Sequence, residues 1–560
     1  MLARIRGAAA DEALFMRAAD FARANHIESD TDAAPLFDNP PPASDAEILK
    51  LLRQMYEAGS WVLVESAIAD LPSDLRWLYE SGAVTIEQLA TIHCSIGATS
   101  AADLAEAARE HKLRALPGLD AAVEDAVAAA VPALRASIPR VPLGRASAVA
   151  DVLLERLRAV PGVVWALPAG SLRRGQDTIG DIEIVVSTDR PVEAIDELLL
   201  LPEPPHVLHR SERQLYMLKD RLQLGVQLPE PANAGATLLH LTGSAAHFDA
   251  LREYAAAAGW RLTANGLYDC GGAFRPMATE DALYAALGLP CIPPEIRNGD
   301  EEIVRAARGD LPRLVALGDI RGDLHMHSTW SDGRDPIAAM VQGCRALGYE
   351  YMAITDHSPH SAATRNLTAD GVRKQADEIA RVREEHPDIA ILHGCEVDIL
   401  ADGRLDFPEK ILERFDIVLA SLHEGAGHSP EQLMNRYESA MKHPLVTMIT
   451  HPTNRIVPHR LGYNLDYDRL FAFAVETATV LEIDGAPSHL DLDGALARRA
   501  IAAGATVAID SDCHRAELLG RQMKLGVLTA RRGWAEPRHV LNTQSLEDVR
   551  ARIAAKRGTR

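Results

Sequence analysis

From residue 319 onward, short apolar runs alternate with longer stretches in which apolar residues recur every three or four positions. The short runs predict seven strands: DLHMHS (323–328), YMAITDHS (351–358), IAILHGCEVD (389–398), IVLASLH (417–423), VTMITH (446–451), VLEIDGA (480–486) and TVAIDSDCH (506–514). Between most of them the spacing is that of amphipathic helices, as in PIAAMVQGCRALG (336–348) and ADGVRKQADEIARVREE (369–385). This rhythm predicts a parallel β/α barrel, with the C-terminal strand ends as its working face. Upstream, SAVADVLLERLRAV (147–160) reads as a helix, followed by strand-like VVWALPAGSLRR (163–174) and the strand DIEIVVST (181–188). A mixed region follows, and VRAARGDLPRLVAL (304–317) is expected to cross to the barrel as one helix. Glycine-broken helices fill 72–135, Asp45 is placed to cap a helix from 46, and 28–44 is an acidic, proline-rich linker after a first helical stretch. The expected division is 1–44, 45–140, 141–232, 233–315 and 318–560.

Six of the seven strand segments end in, or are followed by, residues that bind metals. These are His325 and His327, Asp332, His357, Glu396, His423, His451, and Asp512 with His514. Imidazole and carboxylate together suit borderline-hard divalent ions such as Zn, Mn or Fe, and nine ligands exceed the needs of one ion. A cluster of two or three ions points to hydrolysis of a phosphate ester. Cys395 and Cys513 stand beside Glu396 and Asp512 and are expected to pack in the core.

Composition narrows the setting. The 560 residues are 47% hydrophobic and 24% charged, as in a soluble multidomain protein. The balance of 58 basic against 79 acidic residues, a net of −21, excludes a protein coated with basic surface for DNA. Any nucleic-acid contact is expected to be local, metal-assisted or weak. Six scattered cysteines without a C-x-x-C pair fit reduced thiols, and no apolar run reaches membrane-span length. A cytoplasmic protein is expected.

The last 240 or so residues resemble the PHP (polymerase and histidinol phosphatase) domain, a distorted (β/α)7 barrel, with its motifs in order. The resemblance implies one metal at His325, His327, Glu396 and Asp512, and a second at Asp332, His357 and His514. A third would lie at Glu396, His423 and His451, with Glu396 bridging. It also implies that the metals acidify a shared water. Arg365, Arg455 and Arg460 lie in loops near that face, where a guanidinium can grip phosphate.

The preceding part resembles a family X DNA polymerase core, as found fused to this PHP domain in bacteria. AGSLRRGQDTIGDIEI (169–184), LTGSAAHFDALR (241–252) and ALGLPCIPPEIR (286–297) carry the likeness. It implies an α/β nucleotidyltransferase-like palm and a thumb behind a helical helix-hairpin-helix-like region, whose turn is ALPGLD (115–120). Gly170, Ser171 and Arg174 would contact nucleotide phosphates, and Asp181 with the acid at 183 would hold Mg²⁺. The chain departs from this pattern. Position 183 is Glu, one methylene longer, so Mg²⁺ would be held weakly. The expected third aspartate after VQL (226–228) is replaced by Pro229, with Glu230 the nearest acid. His240-Leu241 stands for an aromatic pair, Phe248 for an asparagine, and Asp120 for a hairpin glycine.

The leading expectation is a metal-dependent phosphoesterase, a 3′→5′ exonuclease or 3′-end processing enzyme acting on DNA ends or gaps in repair. Its polymerase core would be inactive. The alternatives are a bifunctional repair polymerase, a small-molecule phosphatase resembling histidinol phosphatase, and a non-catalytic binding module.

Overall fold

A computed structural model describes residues 140–201, 206–219, 222–361, 366–423 and 427–558. Before these it describes 17, 18, 20, 21, 45–57, 78, 79, 82–96, 104, 107, 108 and 111–133. Arg365, the linker at 28–44 and most of the first helical stretch lie outside these residues. Two compact units emerge: residues 1–139 with 219–222, and residues 140–218 with 223–560.

In the first unit, Asp45 accepts a hydrogen bond from the Glu47 amide (2.9 Å) and starts the helix Ala46–Glu57. Around the ALPGLD turn, Gly118 adopts a left-handed φ of 77°. Asp120 then caps the helix Ala121–Ala133, its Oδ1 2.9 Å from the Val123 amide. The carboxylate therefore occupies the helix N-terminus that a hairpin of this kind would offer to a phosphate.

The second unit begins with the helix Leu143–Ala159, which packs on a five-stranded palm sheet. Its strands are β1 (Val163–Pro168), β2 (Asp181–Thr188), β3 (His206–Arg210), β4 (Gln214–Lys219) and β5 (Leu222–Gln227), in the order β1-β2-β5-β4-β3. The strand expected over 163–174 stops at Pro168, and Gly170–Arg173 turns into one helical turn. Pro168 has no N–H to continue the ladder, and Gly170 has φ 59°, a reversal that glycine makes without steric cost.

The thumb packs the helices Ala234–Thr242, Ala245–Ala257 and Glu280–Ala286 around a core of Leu239, Leu251, Leu283, Tyr284 and Ile296. The single helix expected over 304–317 is instead Glu302–Arg308. Gly309 ends it in the left-handed conformation (φ 73°), and Pro312 prevents its resumption.

Seven parallel strands in sequential order form the barrel: β6 (Gly322–Asp323), β7 (Tyr351–Ile354), β8 (Ala390–Asp398), β9 (Ile417–Ser421), β10 (Met448–Ile449), β11 (Val480–Asp484) and β12 (Val507–Asp510). β6 and β10 are shorter than their apolar runs. Beyond β6 the first run rejoins the last, with the His327 amide donating to the Cys513 carbonyl at 2.9 Å. At the other end, the Asn542 side chain donates to the carbonyls of Gly322 (2.8 Å) and Ile509 (2.6 Å), linking β6 to β12. Cys395 and Cys513 are fully buried in the surrounding apolar shell. Among the described residues, no helix is long and apolar enough to cross a membrane.

Candidate metal centre

Parallel strands all deliver their C-terminal ends to one face, so residues scattered over 190 positions converge there. Glu396, near the end of β8, lies at the middle of the group and is fully buried. Its Oε2 lies 2.9 Å from His357 Nδ1, 3.3 Å from His325 Nε2 and 3.5 Å from His327 Nε2. Its Oε1 lies 2.9 Å from His451 Nε2 and 3.3 Å from His423 Nε2. One carboxylate thus faces five of the six histidines, three through one oxygen and two through the other, which suits a bridge between ions.

The remaining residues surround this centre. Asp512 Oδ1 is 3.0 Å from His327 Nε2 and 3.6 Å from His325 Nε2. Asp332 Oδ2 is 3.3 Å from His514 Nε2 and 3.6 Å from His357 Nε2. Within the nine, three sets have ligand atoms close enough to hold one ion: His325, His327 and Asp512; His327, Asp332, His357 and His514; and His357, Glu396 and His423. The partition differs from the one the resemblance implies: His327 and His357 each reach two sets, Glu396 joins only one, and His451 joins none of them. Fit to a metal also shows in the buried Nδ1 atoms of His327 and His451, which lack a hydrogen-bond partner among the described residues. His451 (φ 27°) and Asp512 (φ 47°) hold left-handed backbone conformations, strain of the kind that collects at functional sites.

Electrostatics agrees with this geometry. Burial alone would lower the His514 pKa, but Asp332 and Asp512 raise it to about 10. His325 and His423 are likewise raised, against burial, by Glu482, Glu396 and Asp512 around the first and by Asp398 and Glu396 around the second. His327 goes the other way, to about 4, through burial and its neighbours His357 and His514. Carboxylates that hold protons on imidazoles when no metal is present would hold a cation when those protons leave.

The sequence reading missed the residues that orient these groups. β11 supplies none of the nine, yet its Glu482 Oε1 sits 2.6 Å from His325 Nδ1, and its Oε2 accepts the His451 amide at 2.6 Å. Asp398 Oδ1 similarly sits 2.9 Å from His423 Nδ1. Carboxylates behind ligating histidines set the tautomer and ring angle. The available signal was an acid two residues beyond Glu396 and another inside an apolar run. Replacing Glu482 by Gln puts an amide N–H₂ against one of two N–H donors. The expected result is a 10- to 100-fold loss in metal affinity or rate, read by metal titration. Unchanged affinity and rate would remove Glu482 from this role.

Two of the arginines expected to grip phosphate, Arg455 and Arg460, are occupied. Arg455 binds Asp177 of the palm (2.8 Å) and the carbonyls of His489 (2.9 Å) and Leu490. Arg460 donates to Asn454 O (3.1 Å) and Oδ1 (2.8 Å). Arg455 therefore ties the barrel to the palm.

In the palm, Asp181 is exposed at the start of β2 while Glu183 is half-buried behind it. Burial, reinforced by Asp181, raises the Glu183 pKa to about 7. Glu230 is exposed and pairs with Arg213 at 2.7 Å. Register sets Gly225, four residues before Pro229, beside Glu183 on the adjacent parallel strand. A Cβ built on Gly225 would lie 2.3 Å from Glu183 Oε1. The longer glutamate fills the space that a carboxylate from β5 would need. Arg174 donates to the Thr242 carbonyl of the thumb, and Ser171 lies on the helical turn opened by Gly170. His240 and Phe248 pack edge to face, with centroids 4.8 Å apart.

Comparison with known proteins finds similarity in both the thumb and the barrel. The family model for the DNA polymerase beta thumb matches residues 237–298, and that for the PHP domain matches residues 323–453. A protein of Bacillus subtilis named DNA polymerase/3′-5′ exonuclease PolX is 34% identical over 505 residues, 90% of this chain and 88% of its own length. A protein named as a probable phosphatase, from Caldanaerobacter subterraneus subsp. tengcongensis, is 29% identical over 212 residues. That match covers 36% of this chain and 78% of the relative. Leishmania infantum polymerase beta aligns with 44% of this chain and 99% of its own, at 15% identity and a TM-score of 0.26. With one relative matched nearly end to end, a thumb of the polymerase beta kind and a PHP barrel in one chain, the protein belongs to the PolX family.

Proposed function

We propose that the barrel hydrolyses phosphate esters at DNA ends, as a 3′→5′ exonuclease or 3′-end processing activity. The observation that carries this reading is the convergence of nine metal-binding side chains on one face, with Glu396 between five histidines. The name of the Bacillus relative, a DNA polymerase and 3′-5′ exonuclease, supports the substrate and polarity. We assign the ligands to His325, His327, Asp332, His357, Glu396, His423, His451, Asp512 and His514, and the ions to two or three of Zn, Mn or Fe. Such ions supply an acidified water and positive charge for the phosphoryl oxygens.

The chain's own side chains set direction. His325, His327 and Glu396 are the floor of the site, whereas His514, Asp332 and His423 are 35%, 26% and 26% exposed. A phosphate would enter over that open edge. Glu482 and Asp398 hold the histidine rings in place from behind. Cation charge at this face would attract a DNA terminus locally, which reconciles an acidic protein with a polyanionic substrate.

The test is degradation of 3′- and 5′-labelled DNA by metal-loaded protein, beside an Asp512→Ala, His514→Ala double variant. Loss of nucleotides from the 3′ end by wild type alone is expected. Equal degradation by both proteins would move the nuclease elsewhere. The phosphatase relatives match only the barrel region, which favours a second reading as a small-molecule phosphatase. Turnover of free phosphomonoesters without action on DNA ends would establish it.

We further propose that the palm no longer polymerises. Primer extension with Mg²⁺ or Mn²⁺ is expected to give no incorporation, and templated products would defeat this reading. Gly225→Asp alone is expected to destabilise the protein by about 1–3 kcal/mol through overpacking against Glu183. Adding Glu183→Asp withdraws that carboxylate by one methylene and is expected to restore much of the loss. Chemical denaturation of both variants checks the pair.

A further inference from the structure

β11 carries a second acid, Asp484, two residues beyond Glu482 and on the same side of the strand. Asp484 is fully buried. Its Oδ1 accepts the Ala486 amide at 2.6 Å, but its Oδ2 has no hydrogen-bond partner among the described residues. The following turn returns His489 towards the same place. The His489 ring stacks on His451, with centroids 5.5 Å apart, and its buried Nδ1 likewise lacks a partner among the described residues. Ligand atoms of Asp484, His489 and Asp512 lie within 4.8 Å of one another.

We propose that Asp484, His489 and Asp512 hold a further divalent cation of the zinc–manganese class, beside the nine-residue cluster and sharing Asp512 with it. One imidazole and two carboxylates form a donor set for such ions. Asp512 can serve both places because a carboxylate has two oxygens, and it is Oδ1 that lies beside the rings of His325 and His327. Ions bridged by one carboxylate sit about 3.5–4 Å apart, the spacing of two-metal hydrolases. Three protein ligands leave a coordination position open to water or to a phosphate oxygen.

The turn is built to hold this geometry. The His489 amide donates to the Ala486 carbonyl at 2.9 Å, and the His489 carbonyl accepts Arg455 Nε at 2.9 Å. Gly485 allows the chain to pass against the Gln522 carbonyl, which a Cβ there would meet at 2.2 Å. Two buried ligand atoms without a partner among the described residues, at a strand end and on the braced turn after it, in residues that each bring a ligand atom within 4.8 Å of Asp512, are the arrangement that a cation completes. The inference concerns ion binding and stands whichever phosphate ester the barrel hydrolyses.

The test uses the full chain saturated with zinc. Metal content is measured by mass spectrometry, and ion positions by anomalous diffraction at the zinc edge. Wild type is expected to show a peak among Asp484, His489 and Asp512. Asp484→Asn and His489→Ala are each expected to lose that peak and about one equivalent of zinc while keeping the peaks at the nine-residue cluster. Because Asp484 is wholly buried and its variant can fail to fold, His489→Ala at the more open side keeps the test decisive. Absence of the wild-type peak at saturating zinc, or its survival in His489→Ala, overturns the proposal.

Discussion

Glu396→Gln is expected to cost the barrel at least about 10³-fold in hydrolysis, with metal content falling alongside. The magnitude follows from position. Each Glu396 oxygen faces a different group of histidines, so substitution removes a ligand charge from two ion positions at once. Ions stabilise the charge of a phosphoryl transition state by several kcal/mol, and each 1.36 kcal/mol is a factor of ten in rate. The Gln amide also sets N–H donors against imidazole nitrogens that need acceptors. The check is a rate on labelled DNA at saturating Mn²⁺ with metal analysis of the same sample. Activity within tenfold of wild type at full metal content would exclude Glu396 as the bridge.

Arg297→Met is expected to lower folding stability by about 3–5 kcal/mol, the usual cost of breaking a buried ion pair. Arg297 is fully buried in the thumb, with its Nη1 2.7 Å from Glu280 Oε1 and its Nε 2.9 Å from the Ile292 carbonyl. Burial alone would raise the Glu280 pKa, but Arg297 and then Arg173 bring it from 4.5 to about 2. At 1.36 kcal/mol per pKa unit, that lowering is worth about 3 kcal/mol, the same size as the expected loss. Because the folded pKa is depressed, this contribution is present above about 4.5 and is lost as pH falls towards about 2. The variant should therefore show a lower urea midpoint at neutral pH and a weaker acid dependence in that window. Glu280→Gln on the Arg297→Met background should recover part of the loss by removing a buried charge left with Arg173 as its one remaining partner among the described residues. A midpoint equal to wild type would mean that Arg173, 2.6 Å from Glu280, satisfies the carboxylate alone.

The barrel was legible before folding because each strand ends where its chemistry begins. Apolar runs terminate at His325, His357, Glu396, His423, His451 and Asp512, and parallel β/α topology sends all such ends to one face. Elements that depend on a single backbone position were less legible. The strand from Val163 ends at Pro168, and the helix from Glu302 ends at Gly309, although the apolar pattern continues past both.

Sequence alone determined the barrel rhythm and the nine candidate ligands at its strand ends, since those follow from periodicity and residue chemistry, while the family resemblance rests on the order of the motifs. Tertiary structure decided which residues support that face. Glu482 and Asp398 matter because of the histidines in front of them, and those histidines arrive from other strands. It also decided that Arg455 is bound to Asp177 of the palm instead of facing a phosphate, and that Gly225 faces the Glu183 carboxylate. A residue type declares what it can coordinate, but its partner is set by register and packing between segments distant in the chain.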